Sequence, residues 1–323
     1  MGQNNILRAN GVSVIICCYN SANNIFKVLH HIELQKDITF PLEVIVVNNN
    51  SSDETETVVK RFIKETNLDI KLIFESNPGL MHARESGLRE SRYEFIQFCD
   101  DDNLLSDNYI HTLYEFLNND SSIGACGGKG IALIENNEPI WFKKYSRAYA
   151  VGSQLKHPQD SLYGAGISIR YSALEKIYMK GFKSFLTGRT GNVLLAGDDG
   201  ELVLALMLSG YKLKASDDIY FHHIIPEGRL SKDYLMQLHE GFGMMYPVID
   251  IYRKILSKKF SNNVIYYNLL HFRKIVKAFL SFLFKAGIDR KVQFSLLKGN
   301  IKGFFYFLNK KREILKVIHK IIS

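Results

Sequence analysis

Residues 95–103 read FIQFCDDDN, an apolar run of strand length that stops on Asp100, Asp101 and Asp102. A short, largely apolar run, broken here only by Gln97 and closed by polar residues, is the pattern of a strand. Three adjacent carboxylates repel one another, so one reading of the loop is a divalent cation that offsets them. Asp100 and Asp102 alternate and place oxygens on one side, which suits Mg2+ or Mn2+ held jointly with substrate phosphates. The other reading is a solvated turn in which Asp102 or Ser106 caps the next helix.

The same alternation extends upstream. Val12–Cys18 is apolar and β-branched and ends at Tyr19-Asn20-Ser21, after which Ile25, Val28, Leu29 and Ile32 recur at helical spacing. Glu43–Val47 is a second strand, closed by Asn48-Asn49-Asn50-Ser51-Ser52. Ser51 and Glu54 fit a capping box for a helix carrying Val58, Val59, Phe62 and Ile63. Strand-like Ile70–Phe74 precedes a helix from about Gly79 to Ser91. Strand-helix alternation predicts an α/β fold, a mostly parallel central sheet flanked by helices. Ligands bind such sheets where loops leave the carboxyl ends of the strands. Tyr19, Asn48 and the Asp100–Asp102 loop are therefore expected on one rim.

Downstream, a helix capped by Ser106 is expected to run to Leu117, with strands at Ile123–Gly130, Gly166–Arg170 and Ile219–His223 and a helix at Leu202–Ser209. From Ser231 the pattern is helical. The expected division is a catalytic domain over 1–235 and a helical basic extension over 236–323. The 323 residues are 46% hydrophobic and 23% charged, which excludes a disordered chain. Residues 251–323 carry 17 Lys+Arg against Asp289 and Glu313, a balance of +15, leaving −7 for residues 1–250.

The four cysteines lie in or beside apolar runs without a CxxC pair, as reduced core thiols of a cytosolic protein would. The opening MGQNNILRANG lacks a basic start and apolar core, and no run reaches the roughly 18 apolar residues of a spanning helix. The expected location is cytoplasmic, with peripheral attachment to the inner face of the plasma membrane as a further expectation. Neither GxGxxG nor GxxxxGK[ST] occurs, which removes dinucleotide dehydrogenases and P-loop enzymes.

VSVIICCYNS (Val12–Ser21), EVIVVNNNSSDET (Glu43–Thr55), NPGLMHARESG (Asn77–Gly87), FIQFCDDDN and GDDGEL (Gly197–Leu202) occur in that order. This ordered set, across about residues 12–235, resembles the family-2 inverting glycosyltransferases of the GT-A fold, whose nucleotide-binding half is Rossmann-like. The resemblance implies a nucleotide-sugar donor, with Cys18, Tyr19 and Asn20 approaching the nucleoside. Asn48 stands where the family usually has a uracil-binding Asp, and its amide oxygen still accepts that bond. Pro-Thr, usual in the family, is replaced by Cys17-Cys18. Asn77 and Arg84 match the segment before the Asp-x-Asp strand, where Arg84 would support the diphosphate or brace the acidic loop. Asp100 and Asp102 match Asp-x-Asp itself, with Asp101 beside the nucleotide and Asp102 the better metal ligand.

GDDGEL resembles the family's acidic motif on the acceptor side. Asp199 is the expected general base. Glu201, about 200° away on a helix, stands with it in the expected catalytic set, where it would orient an acceptor or structure the helix start. In His222-His223-Ile224-Ile225-Pro226, His223 fits the histidine that completes the metal shell in many relatives, and Arg229 is a candidate diphosphate clamp. The Gly164-Ala165-Gly166 and Leu186–Arg189 segments also resemble parts of some members, and Trp141 with Phe142 reads as an acceptor-stacking pair or as ordinary packing. The implied reaction serves assembly of a polysaccharide, lipopolysaccharide or glycolipid, on a glycan or lipid-linked glycan acceptor. The alternative is a catalytically inactive glycan- or membrane-binding protein that retains the fold.

In the tail, Ile314, Val317, Ile318 and Ile321 recur at helical spacing among Lys and Arg. Two readings stand side by side. One is an interfacial helix on an anionic membrane surface. The other is a helical subdomain packed on the catalytic body. No nucleic-acid motif is present and no nucleic-acid partner is expected.

Overall fold

A computed structural model describes residues 8–135, 137–155, 160–186, 189–190, 193–194, 196–257 and 264–323. The first half alternates as the apolar runs dictate: β1 (Ala9–Cys18), α1 (Ile25–Glu33), β2 (Leu42–Asn48), α2 (Thr55–Glu65), β3 (Ile70–Phe74), α3 (Leu80–Glu90) and β4 (Tyr93–Asp100). A three-residue strand, β5 (Asn103–Leu105), follows the aspartates directly, before α4 (Tyr109–Asn119) and β6 (Ile123–Leu133). Next come α5 (Phe142–Tyr145), β7 (Ser168–Arg170), α6 (Tyr171–Met179), the small pair β8 (Arg189–Thr190) and β9 (Val193–Leu194), α7 (Asp198–Leu208) and β10 (Lys212–Ile224). Three helices close the chain: α8 (Lys232–Leu256), α9 (Val264–Phe284) and α10 (Gly287–Ile322). Thr187 and Gly188 lie outside the described residues.

Eight strands form one sheet in the order β3-β2-β1-β4-β7-β6-β10-β5. The run β3-β2-β1-β4 is parallel throughout, as is β6 with β10, while β7 and β5 run antiparallel to their neighbours. Strand β1 explains why its sequence is apolar without alternation. Val12, Val14, Ile16 and Cys18 pack into the layer holding α1 and α4, and Ile15 packs into the opposite layer.

Two expected helix caps are replaced. The Ser51 hydroxyl accepts from Asn20 N, so Asp53 Oδ1 takes over at α2, accepting from Thr55 N at 3.0 Å. The Ser106 hydroxyl accepts from Tyr220 N of β10, and α4 begins without a side-chain cap. In both cases a partner from a distant strand loop outcompetes the local backbone.

Position 235 falls in the first turn of α8, and the C-terminal helices share a core with the sheet. Phe307, Ile314, Val317, Ile318 and Ile321 of α10 are buried in the same cluster as Ile15 and Ile96. Burial of each such side chain stabilises by about 1.5–3 kcal/mol. The stripe whose sequence suited an interfacial helix is thus spent on the interior. Helices α8 and α10 meet backbone to backbone: a Cβ on Gly299 would lie 2.0 Å from the Glu240 carbonyl oxygen, and one on Gly303 would lie 2.3 Å from that of Met244. Among the described residues no helix is long and apolar enough to cross a membrane.

Candidate active site

The carboxyl ends of β1 and β4 open onto a cleft of about 1060 Å³. Chain order reverses between these neighbours, since β2 and β3 lie on one side of β1 and β4 on the other. Loops diverge at such a switch point and leave a crevice. Register sets what lies there, with Cys17 of β1 opposite Asp100 and Cys18 opposite Asn48.

Short β5 decides the acidic loop. Its antiparallel pairing sets Asn103 against His223 of β10, and Ile224 N donates to the Asp102 carbonyl. Asp102 is thereby carried to residues more than a hundred positions away. Its Oδ2 lies 2.8 Å from an Arg229 guanidinium nitrogen and 3.4 Å from His223 Nε2. Burial alone would raise the Asp102 pKa, but His223 and Arg229 outweigh it and hold the carboxyl well below the usual range. His223 Nδ1 lies 2.7 Å from the Tyr149 carbonyl. A carbonyl only accepts, so Nδ1 carries the hydrogen and Nε2 is the nitrogen turned to Asp102.

The three aspartates divide their work. Asp101 accepts from Tyr19 N at 3.3 Å and from the Ser21 hydroxyl, fastening the β1 loop. Asp100 lines the cleft, and its pKa is raised, first by burial and then by Asp102, against the pull of Arg84. Cys17 also lines the cleft, and burial pushes its thiol up to about 12, so it is an inert neutral wall.

The opposite wall is the start of α7. Gly197, at φ +107°, makes the turn that no L side chain adopts comfortably, and the acids behind it sit where a helix N-terminus favours them. Asp199 is the more open of the first pair, with its side chain 29% exposed against 9% for Asp198. Arg84 bridges them, donating to Asp199 Oδ1 at 2.5 Å and lying 3.4 Å from Asp198 Oδ2. Arg84 therefore braces α7 through its ion pairs, and its charge also acts on Asp100 of the acidic loop. Burial and the charge of Asp199 push Asp198 up to about 7, with Arg84 opposing. Gly164 packs flat on Asp199, where a Cβ would lie 1.8 Å from Oδ2.

Glu201 does not reach the cleft, which corrects its assignment to the catalytic set. It is fully buried and accepts from Ser184 Oγ (2.7 Å), Phe185 N (2.8 Å), Leu186 N (3.0 Å) and Tyr252 Oη (2.9 Å). Two positions further along α7 than Asp199, it turns to the protein interior and ties α7 to α8 and to the 184–186 segment.

The β2 edge also differs from expectation. Asn48 is buried beneath the rim, its Oδ1 accepting from Ser51 N at 2.9 Å, while Asn49 and Asn50 line the cleft. Asn49 is the organiser: it donates to the Glu75 and Asn77 carbonyls and accepts from Gly79 N. Asn77 donates both N–H groups to Glu75 Oε1 and does not line the cleft. Tyr19 is on the wall as expected, and Asn20 ties back to Ser52 N. Phe142 is buried, with Trp141 packed beside it.

The remaining wall comes from the tail, which sequence reading left outside the site. Tyr234, His239 and Tyr246 of α8 and Val292, Gln293 and Leu296 of α10 line the cleft. Arg253 pairs with Asp160 there at 2.7 and 3.1 Å. Aromatic and charged groups of this kind suit a sugar, by stacking and by hydrogen bonding.

The residues present are compatible with a divalent cation. The buried Asp102 Oδ1 has no hydrogen-bond partner, and His223 presents Nε2 beside the same carboxylate. Among the described residues no three His, Cys, Asp or Glu side chains form a complete cage. A cation here would complete its shell with substrate oxygens and water.

Comparison with known proteins agrees with this architecture. Residues 13–178 match the profile described as "Glycosyl transferase family 2". The chain is 25% identical over 306 residues to a poly-beta-1,6-N-acetyl-D-glucosamine synthase of Staphylococcus epidermidis, covering 92% of this chain and 70% of that protein. The fold is similar to that of the mannosyltransferase PcManGT from Pyrobaculum calidifontis in complex with GDP-Man and Mn2+ (TM-score 0.60, 18% identity, 90% and 86% of the two chains). It is also similar to that of S. aureus TarS 1-349 in complex with UDP-GlcNAc (TM-score 0.52, 15% identity, 94% and 92%).

Proposed function

The chain belongs to glycosyl transferase family 2, and from that premise we propose that it moves a sugar from a nucleotide diphosphate, expected to be UDP, onto a glycan or lipid-linked glycan hydroxyl with inversion. One observation carries the reading. Two charged sets, Asp102–His223–Arg229 and Asp199–Arg84, line one cleft at the carboxyl edge of the sheet. The first suits a diphosphate and the second suits a proton transfer.

Asp199 takes the acceptor proton as the hydroxyl oxygen forms its bond to the anomeric carbon, and the bond from that carbon to the diphosphate oxygen breaks on the opposite face. Arg84 holds the Asp199 carboxylate in place through Oδ1. Arg229 supplies positive charge where the diphosphate gathers its negative charge. Asp102 and His223, with Asp100 beside them, are the residues that would hold Mn2+ or Mg2+, and such an ion would neutralise the leaving group.

The similarity to a poly-GlcNAc synthase and the fold shared with a UDP-GlcNAc complex support a UDP-sugar and a role in polysaccharide assembly. Calorimetric titration with UDP, GDP and other nucleoside diphosphates, in Mn2+ and then in EDTA, tests the donor reading. Mn2+-dependent UDP binding that disappears in Asp102→Ala is the expected result. Absence of binding with every nucleotide and metal would overturn it. Binding without transfer would instead favour an inactive glycan-binding relative.

A further inference from the structure

We propose that the outer face of the α9–α10 hairpin docks on an anionic lipid bilayer. This goes beyond the transfer reading and does not depend on it. The two helices run antiparallel, since the ring of His271 lies 5.4 Å from that of Phe307 and the ring of Phe282 lies 5.6 Å from that of Phe294. Their inner sides are occupied by the His271–Phe307 contact and by the core, while Phe294, in contact with Phe282, is also open to the outside. Their outer sides are apolar and open.

On α9, Phe272, Val276, Phe279, Leu280 and Leu283 are all exposed. At about 100° per residue they fall within one arc roughly 100° wide. Phe284, 86% exposed, extends it to the hairpin tip. On α10, Phe294, Ile301, Phe305 and Leu308 form a second exposed stripe at corresponding levels of the hairpin. A water-facing helix of a folded domain does not sustain such a face without a partner.

Charge identifies the partner. Helix α9 contains no Asp or Glu. Lys274 turns inward to Asp250, but Arg273 and Lys277 border the apolar arc and, among the described residues, have no ion-pair partner. Lys291 and Arg312 lie exposed alongside the α10 stripe. A second copy of the chain, docked by two-fold symmetry on this face, would set the cationic border of α9, a helix with no carboxylate of its own, against its copy. An anionic leaflet instead offers hydrocarbon for the stripe and lipid phosphates for the rim. On α10 the cleft wall and the stripe occupy opposite sides of the helix, since Val292 and Leu296 stand about 160° around the axis from exposed Phe294.

The test is flotation of the full chain with phosphatidylcholine vesicles, with and without phosphatidylglycerol. Binding is expected to be at least about tenfold tighter with the anionic lipid and to weaken in high salt. Arg273→Glu/Lys277→Glu is expected to lose about tenfold or more, and Phe279→Asp/Leu283→Asp to abolish binding, with the thermal midpoint of each variant near that of the parent. Failure to bind any vesicle, or binding that neither variant alters, would overturn the proposal. So would a concentration-dependent dimer in sedimentation that the apolar variant makes monomeric while vesicles still fail to bind. Flotation without nucleotide binding would keep the docking and remove the transfer reading, and the reverse result would do the opposite.

Discussion

Replacing Glu201 with alanine separates a structural role from a catalytic one. The carboxylate accepts four hydrogen bonds, two of them from the backbone N–H groups of Phe185 and Leu186. Truncation leaves those two donors and the Tyr252 hydroxyl without an acceptor, at about 1–3 kcal/mol each before water enters the space. With partial relief by water the expected loss is about 4 kcal/mol. Unfolding entropy near 2.1 cal/mol/K per residue gives about 0.7 kcal/mol/K for the chain, so the midpoint should fall by roughly 6 °C. Scanning calorimetry measures this directly. A double-mutant cycle with Tyr252→Phe should return a coupling of about 1 kcal/mol, because the two groups share one hydrogen bond at 2.9 Å. UDP affinity, measured well below both midpoints, should be unchanged. A variant that melts within a degree of the parent yet transfers no sugar would refute the structural assignment and return Glu201 to the reacting set.

Gly164→Ala should lower turnover about a hundredfold while leaving nucleotide affinity within about twofold, because its Cβ would occupy the place of Asp199 Oδ2. Turnover within a few-fold of the parent would show that Asp199 need not stand where it does. A second expectation concerns pH and stability. Burial pushes His271 from 6.5 down to about 4, with Asp250 opposing and Lys274 and Lys311 assisting. Between those values the unfolded chain binds a proton that the folded chain refuses. Stability is therefore constant in this respect above about pH 6.5 and falls as pH drops toward 4, by up to about 3 kcal/mol. Urea midpoints of the parent and His271→Leu should converge across that window, and parallel curves would refute the assignment.

Much of the β1–β4 half was legible because its central strands are mostly apolar and close on polar residues that sit at the sheet edge. Tyr19, Asp100, Asp102, Asp199, His223 and Arg229 all line the one cleft. What joins Asp102 to His223 was not legible, since β5 is only three residues long and has no periodicity to detect. Run-length reading also cannot choose among Asn48, Asn49 and Asn50. Strand β2 ends at Asn48, whose buried side chain accepts from Ser51 N, while Asn49 and Asn50 lie beyond the strand and line the cleft. The stripe of Ile314, Val317, Ile318 and Ile321 is an equally good pattern for a leaflet and for a protein core. Only the presence of α7 and α8 behind it decides that it is core, and the outward apolar face lies instead on α9, where the same kind of pattern has nothing behind it.

The contact of Gly299 and Gly303 with the backbone of α8 has a consequence for how the cleft can be remodelled. Two helices that touch through their main chains cannot slide or be resized separately, so α8 and α10 behave as one plank. That plank carries the wall of the cleft opposite the strand edge. Exchanging the whole plank is the change that would remodel this wall while leaving β1–β4 and their loops untouched. A chimera that transplants only one of the two helices would carry a mismatched seam through the middle of its own binding site.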